Sequence, residues 1–207
     1  MNYLAHLALS PDDTAVRLGN LMGDFCRKAE LSALPPAFLD GYALHQHIDR
    51  YTDAHPLHRQ SRARISARRA RYSGVLIDLF YDHFLARHWD RWYTPDLGRF
   101  AQDVYHALDA NRALLPVRLA QVAPLMRADD WLVAYREVDG IARVIDAFAR
   151  HRARAGNPLT GSACELLANY AALEADFFAF YPQLAAEAAA FSARPAAAAA
   201  ARAPRPT

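Results

Sequence analysis

His45, Asp49 and Asp53 recur at four-residue intervals within GYALHQHIDRYTD, Gly41 to Asp53. On a helix, side chains at this spacing lie one above another and form a polar stripe. Imidazole and carboxylate at i, i+4 make a bidentate set for Mn, Fe or Zn, and also occur as an ordinary exposed contact. Asp78 and Asp82 repeat the spacing in VLIDLFYDHFLARHWDRWY, Val75 to Tyr93, with His83 directly after them. Two carboxylates about 6 Å apart in a dry interior repel each other and lose hydration, so they need a cation or a shared proton. A divalent metal meets that need. The alternative is a stripe facing water, or one paired with an arginine such as Arg50 or Arg87. Asp24, directly after Gly23, and His6, among apolar neighbours, add further oxygen and imidazole donors. His47 and His55 are candidates for a phosphate or acid–base contact. His58, His88, His106 and His151 have no partner at ligand spacing and read as structural.

These donors need elements to hold them. Apolar residues run almost all round Val75 to Tyr93, so this stretch reads as a helix buried in the middle of a bundle. The first nine residues read as a short helix, with Tyr3, Leu4 and Leu7 turned inward. Thr14 to Lys28 reads as a second helix, on which Gly19 and Gly23 lie four apart and admit a close neighbour. After Leu34-Pro35-Pro36, a long helix over Ala37 to His55 carries the His/Asp stripe. Further helices are expected over Leu97 to Leu115, Pro116 to Met126, Asp129 to Tyr135, Val138 to His151 and Ser162 to Phe191. No strand pattern, Gly-rich phosphate loop, nucleophile elbow or paired CxxC occurs. The expectation is an all-α, single-domain helical bundle over 1–192, with a disordered Ala/Pro/Arg-rich tail over 193–207.

Composition narrows the class. Of 207 residues, 53% are apolar and 22% charged, the mix of a globular protein with a sizeable core. Two cysteines, Cys26 and Cys164, make neither a disulfide framework nor a thiolate cage, which favours a reducing compartment. No signal-peptide pattern or long apolar run is present, so a cytoplasmic protein away from membranes is expected. A net charge of +2 is too small to suggest nucleic acid. The charge is uneven, however: Arg59, Arg62, Arg64, Arg68, Arg69 and Arg71 crowd Pro56 to Tyr72 without one acid. Such a run is a solvated face or the footprint of an acidic partner.

Hard donors on separate helices, meeting at one or two divalent cations, would activate water and clamp phosphoryl oxygens, the chemistry of phosphoester hydrolysis. The sequence also resembles the acyl carrier protein phosphodiesterases, regarded as unusual relatives of the HD-type metal-dependent phosphohydrolases. The resemblance rests on MNYLAHL, GNLMGDF, GYALHQHIDRYTD and LIDLFYDHFLARHW, with weaker echoes in WLVAYREVDGI and FFAFYPQL. It implies an HD-domain-like fold and removal of 4′-phosphopantetheine from holo acyl carrier protein, with Mn²⁺ the usual metal and Mg²⁺, Fe²⁺ or Zn²⁺ alternatives. On this resemblance Asp24, His45, Asp49, Asp78, Asp82 and His6 become expected metal ligands. Asp82 and His83 become candidate catalytic groups, His83 either as a support behind the ligands or as the acid that protonates the departing serine oxygen. Asp53, His47 and His55 become supporting or substrate-contacting positions, and the arginine run a docking face for the acidic carrier. The central dyad runs Asp82-His83 rather than His-Asp, so HD-type ligand sets do not transfer directly. Two other readings compete: an HD-type hydrolase of a small phosphoester or nucleotide, and a non-catalytic helical module for an acidic partner.

Overall fold

The structure is a computed structural model that describes residues 1–151 and 154–194. Its helices are α1 (Tyr3–Ala8), α2 (Thr14–Met22), α3 (Lys28–Leu31), α4 (Pro36–Ala54), α5 (Pro56–Ala63) and α6 (Ser73–Arg87). The chain continues through α7 (Leu97–Ala110), α8 (Val117–Ala128), α9 (Trp131–Ala134), α10 (Val138–His151), α11 (Ala163–Ala168) and α12 (Tyr170–Ser192). Tight 3₁₀ turns at Ala67–Tyr72, Trp89–Arg91 and Arg112–Leu114 join some of them. No strand occurs among the described residues, and none of their helices is long and apolar enough to cross a membrane. From residue 195 on, the expected tail lies outside the described residues.

Helix α6 is the axis of the bundle. Leu76, Ile77, Phe80, Tyr81, Phe84 and Leu85 are fully buried on one side of it, and Asp82, His83 and Ala86 on the other. Such a helix needs neighbours all round, and α1, α5, α10 and α12 supply them. Burial of each large apolar side chain contributes about 1.5–3 kcal/mol, so the axis is fixed mainly by its own apolar content. Helix α12 closes the other side by lying across α4, α5 and α6.

Helices α2 and α4 approach more closely than side chains normally allow. A Cβ at Gly19 would lie 2.1 Å from the Phe38 carbonyl oxygen, and one at Gly41 would lie 2.1 Å from that of Val16. Both glycines are therefore required by backbone contact. The close approach brings the His/Asp stripe of α4 against the end of α2.

Several expected helices are shorter than their apolar pattern. The helix expected from Thr14 to Lys28 ends at Met22, and a turn carries Asp24 before α3 begins. The stretch expected to run unbroken from Ser162 to Phe191 divides at Asn169, whose Nδ2 donates to the Glu165 carbonyl at 3.1 Å. An asparagine that bonds to nearby backbone competes with the helical ladder. The central helix stops at Arg87 rather than Tyr93.

Candidate metal centre

The N-terminal segment lies along α6, and the two acids of that helix hold it there. Asp82 is fully buried, and its Oδ2 accepts from the Leu4 N–H at 2.8 Å. Its Oδ1 accepts from the Ala5 N–H at 3.2 Å. These are first-turn amides of α1, which Asn2 leaves without a side-chain cap. A carboxylate from another helix thus supplies the cap, at the favourable end of the helix dipole. Burial pushes the Asp82 carboxyl up to about 7, against the two amides that favour its charged form. One turn earlier, Asp78 Oδ1 lies 3.1 Å from the Met1 amino group.

Helix α1, so held, places His6 in the interior. The His6 Nδ1–H donates to Asn20 Oδ1 at 2.9 Å. The Asn20 amide nitrogen donates to the His6 carbonyl at 2.7 Å and to Ser10 Oγ at 2.9 Å, which fixes Oδ1 as the acceptor. Nδ1 therefore carries the proton and Nε2 is bare. That bare nitrogen faces Asp49 Oδ1 at 3.3 Å. Burial, then the neighbouring His45, holds the His6 pKa below its ordinary value, so the ring is neutral. Two lone pairs facing each other at this distance repel unless a cation lies between them.

From α4, Asp49 holds the opposite edge of the site. His45 Nε2–H donates to Asp49 Oδ2 at 3.1 Å, and the His45 ring stacks on His6 with centroids 4.1 Å apart. Burial opposes charge on His45, but the Asp49 hydrogen bond and nearby Asp24 outweigh it and raise its pKa. Burial also opposes charge on Asp49, but the His45 hydrogen bond and the nearby Met1 amino group hold its carboxyl far below the usual range. Gly23 makes room for this arrangement, since a Cβ there would lie 2.2 Å from the His45 ring. The Met1 amino group stands between the two acids, 3.8 Å from Asp49 and nearer Asp78. Burial lowers its pKa, but Asp78 and Asp49 together push it up to about 10.

The donor set fits a divalent cation. His6, His45 and Asp49 each offer a ligand atom within 4.8 Å of the others. Among the described residues, His6 Nε2 and His45 Nδ1 are buried without a hydrogen-bond partner. Two imidazoles and a carboxylate suit Mn, Fe or Zn. The Asp49 side chain is 42% exposed, so the centre opens to solvent on that side.

The other expected site residues divide between the neighbourhood of this cluster and the rest of the fold. Asp78 and Asp82 were expected on one metal-facing stripe, and the fold divides them: Asp78 lies beside the cluster, whereas both oxygens of Asp82 hold α1. His83 is fully occupied away from it, Nδ1 on the Tyr135 carbonyl and Nε2 on the Tyr170 hydroxyl, each at 2.9 Å. These bonds join α6 to the segment before α10 and to α12. His47 bonds Glu187 of α12 at 2.8 Å and stacks on Phe191. His55 caps α5, its Nδ1 accepting from the Leu57 N–H at 3.2 Å. Asp53 is exposed one turn beyond Asp49. Two residues not singled out from sequence join the site: Asn20, which sets the His6 tautomer, and His58, which bonds Asp78 at 3.1 Å. Each meets its partner only through packing between different helices.

The arginine run also divides. Arg64 pairs with buried Asp176 at 3.0 Å, and Arg69 with buried Glu165 at 2.9 Å. Arg62 Nε donates to Ser73 Oγ at 3.2 Å. Arg59, Arg68 and Arg71 are exposed. The expected docking face thus contains structural ion pairs as well as free charge.

Comparison with known proteins gives a consistent result. The family model described as acyl carrier protein phosphodiesterase matches residues 1–184. The chain is similar to proteins named acyl carrier protein phosphodiesterase from Yersinia pestis, Escherichia coli O157:H7 and Serratia proteamaculans (strain 568). Identity is 34% over 182 residues, 34% over 183 and 35% over 182, respectively. Each match covers 87% of this chain and 93% of the relative. No solved structure matches.

Proposed function

The chain belongs to the acyl carrier protein phosphodiesterase family, and we propose that it hydrolyses the phosphodiester joining 4′-phosphopantetheine to the serine of holo acyl carrier protein. Apo carrier and free 4′-phosphopantetheine are the products. The observation that carries the metal requirement is the bare His6 Nε2 opposed to Asp49 Oδ1 at 3.3 Å. In this reading His6, His45 and Asp49 hold a divalent cation, Mn²⁺ by family resemblance, with Asp24 and Asp78 flanking it.

When bound, such a cation acidifies water and draws charge from phosphoryl oxygens. Asn20 keeps the His6 proton on Nδ1 and so keeps Nε2 available as a ligand. Asp49 stays ionised throughout the working range, because its pKa is held so low. Asp82 and His83 serve by position, the first holding α1 and the second anchoring α6. In the reaction a water oxygen bonds to phosphorus, the bond from phosphorus to the serine oxygen breaks, and that oxygen takes a proton. The open side of the centre at Asp49 gives a serine borne on another protein access to it.

Dialysis against a chelator tests this reading. Conversion of holo to apo carrier should cease and return on addition of Mn²⁺. Undiminished conversion by the metal-free protein would overturn the metal requirement.

A further inference from the structure

His58 is fully buried on α5, although no residue at ligand spacing accompanies it in the sequence. Its Nε2–H donates to Asp78 Oδ1 at 3.1 Å. Its ring lies among Tyr81 and Phe180, with centroids 6.1 Å and 6.4 Å away. Among the described residues, its Nδ1 is buried without a hydrogen-bond partner. A bare buried acceptor is unfavourable, and an apolar side chain would fill a space beside two aromatic rings at lower cost. The imidazole therefore brings one thing that leucine or methionine would not, the Nε2–H donor aimed at Asp78.

The contact matters because of what Asp78 faces. Its Oδ1 receives His58 and also lies 3.1 Å from the Met1 amino group, which stands 3.8 Å from Asp49. The carboxylates of α4 and α6 thus converge on one cationic position. An acid held by a single rotatable side chain would swing away from that position, and a fixed donor prevents this. We infer that His58 is a positioning residue of the metal centre: its Nε2–H pins Asp78 so that Oδ1 faces that cationic position. This rests on the metal reading above, but not on the identity of the substrate.

The test is titration of full-length wild type, His58→Leu and His58→Gln with Mn²⁺ alone, with thermal melts in metal-free buffer. His58→Leu should bind Mn²⁺ about 10–100-fold more weakly without a lower melting temperature, a loss usual when a group supporting a ligand is removed. Gln carries an N–H near the position of Nε2, so His58→Gln should recover most of the affinity. Equal affinity in wild type and His58→Leu would overturn the inference. So would a glutamine variant as weak as the leucine one when both melt lower, since His58 would then act only on the fold. Wild type that binds no Mn²⁺ would overturn it together with the metal reading. Weakened Mn²⁺ binding in His58→Leu, alongside holo carrier left intact by Mn²⁺-loaded wild type, would support the inference and count against the substrate assignment alone.

Discussion

Asn20 orients the His6 ring from 14 residues away, and Asp49 meets the nitrogen that this leaves bare. The centre depends on that opposition of lone pairs. Asp49→Asn removes the charge that would hold a metal between them, and should cost at least about 100-fold in turnover, read as kcat on holo carrier. Activity near wild type would return the cluster to a structural role. The same residue sets an acid limit. Because the folded pKa of Asp49 lies below its unfolded value of 3.8, the unfolded chain takes up protons first as pH falls. The resulting stabilisation is full above about pH 4 and is lost as pH falls through the folded value. Urea midpoints measured from pH 5 down to 3 should drop less steeply for Asp49→Asn than for wild type. Parallel curves would show that Asp49 does not carry the acid sensitivity.

At the scale of elements, α1 is too short to hold itself, and Asp82 replaces the cap it lacks. Asp82→Ala would leave two buried amides unsatisfied and should destabilise the fold by about 2–4 kcal/mol in chemical denaturation. A loss under about 0.5 kcal/mol, the range of ordinary surface substitutions, would contradict the capping role. Gly23→Ala acts in the opposite sense. Its new Cβ would lie 2.2 Å from Cγ and Cδ2 of the His45 ring, so that ring must move from its place in the centre. Mn²⁺ affinity should fall roughly tenfold, the lower end of such losses, with little change in melting temperature. The His45–Asp49 pair was legible from sequence because both ligands lie on one helix at a fixed spacing. The buried α6 was legible because its apolar residues surround it. The separation of Asp78 from Asp82 was not, since spacing gives a shared face but not what each end of that face meets. Asn20 and His58 were hidden for a related reason: their partners lie on other helices.

Over the whole molecule, charge serves two ends. Arg64 and Arg69 tie the segment after α5 to α12 and α11 through buried acids, so they hold the bundle together. Arg64→Glu should therefore destabilise the protein by on the order of 2 kcal/mol, because Asp176 would be left buried against a like charge. Exposed Arg68 and Arg71 carry no such duty. Reversing both to glutamate should raise KM for the acidic carrier several-fold and flatten its salt dependence, since exposed charge mainly steers encounter. Unchanged KM at low salt would remove these two arginines from the docking face.

Intact mass of holo acyl carrier protein, measured after incubation with the purified protein and Mn²⁺, tests the central claim most directly. The account predicts loss of the whole 4′-phosphopantetheine group, leaving the carrier at its apo mass. A carrier that keeps its holo mass while the protein has bound Mn²⁺ would contradict it.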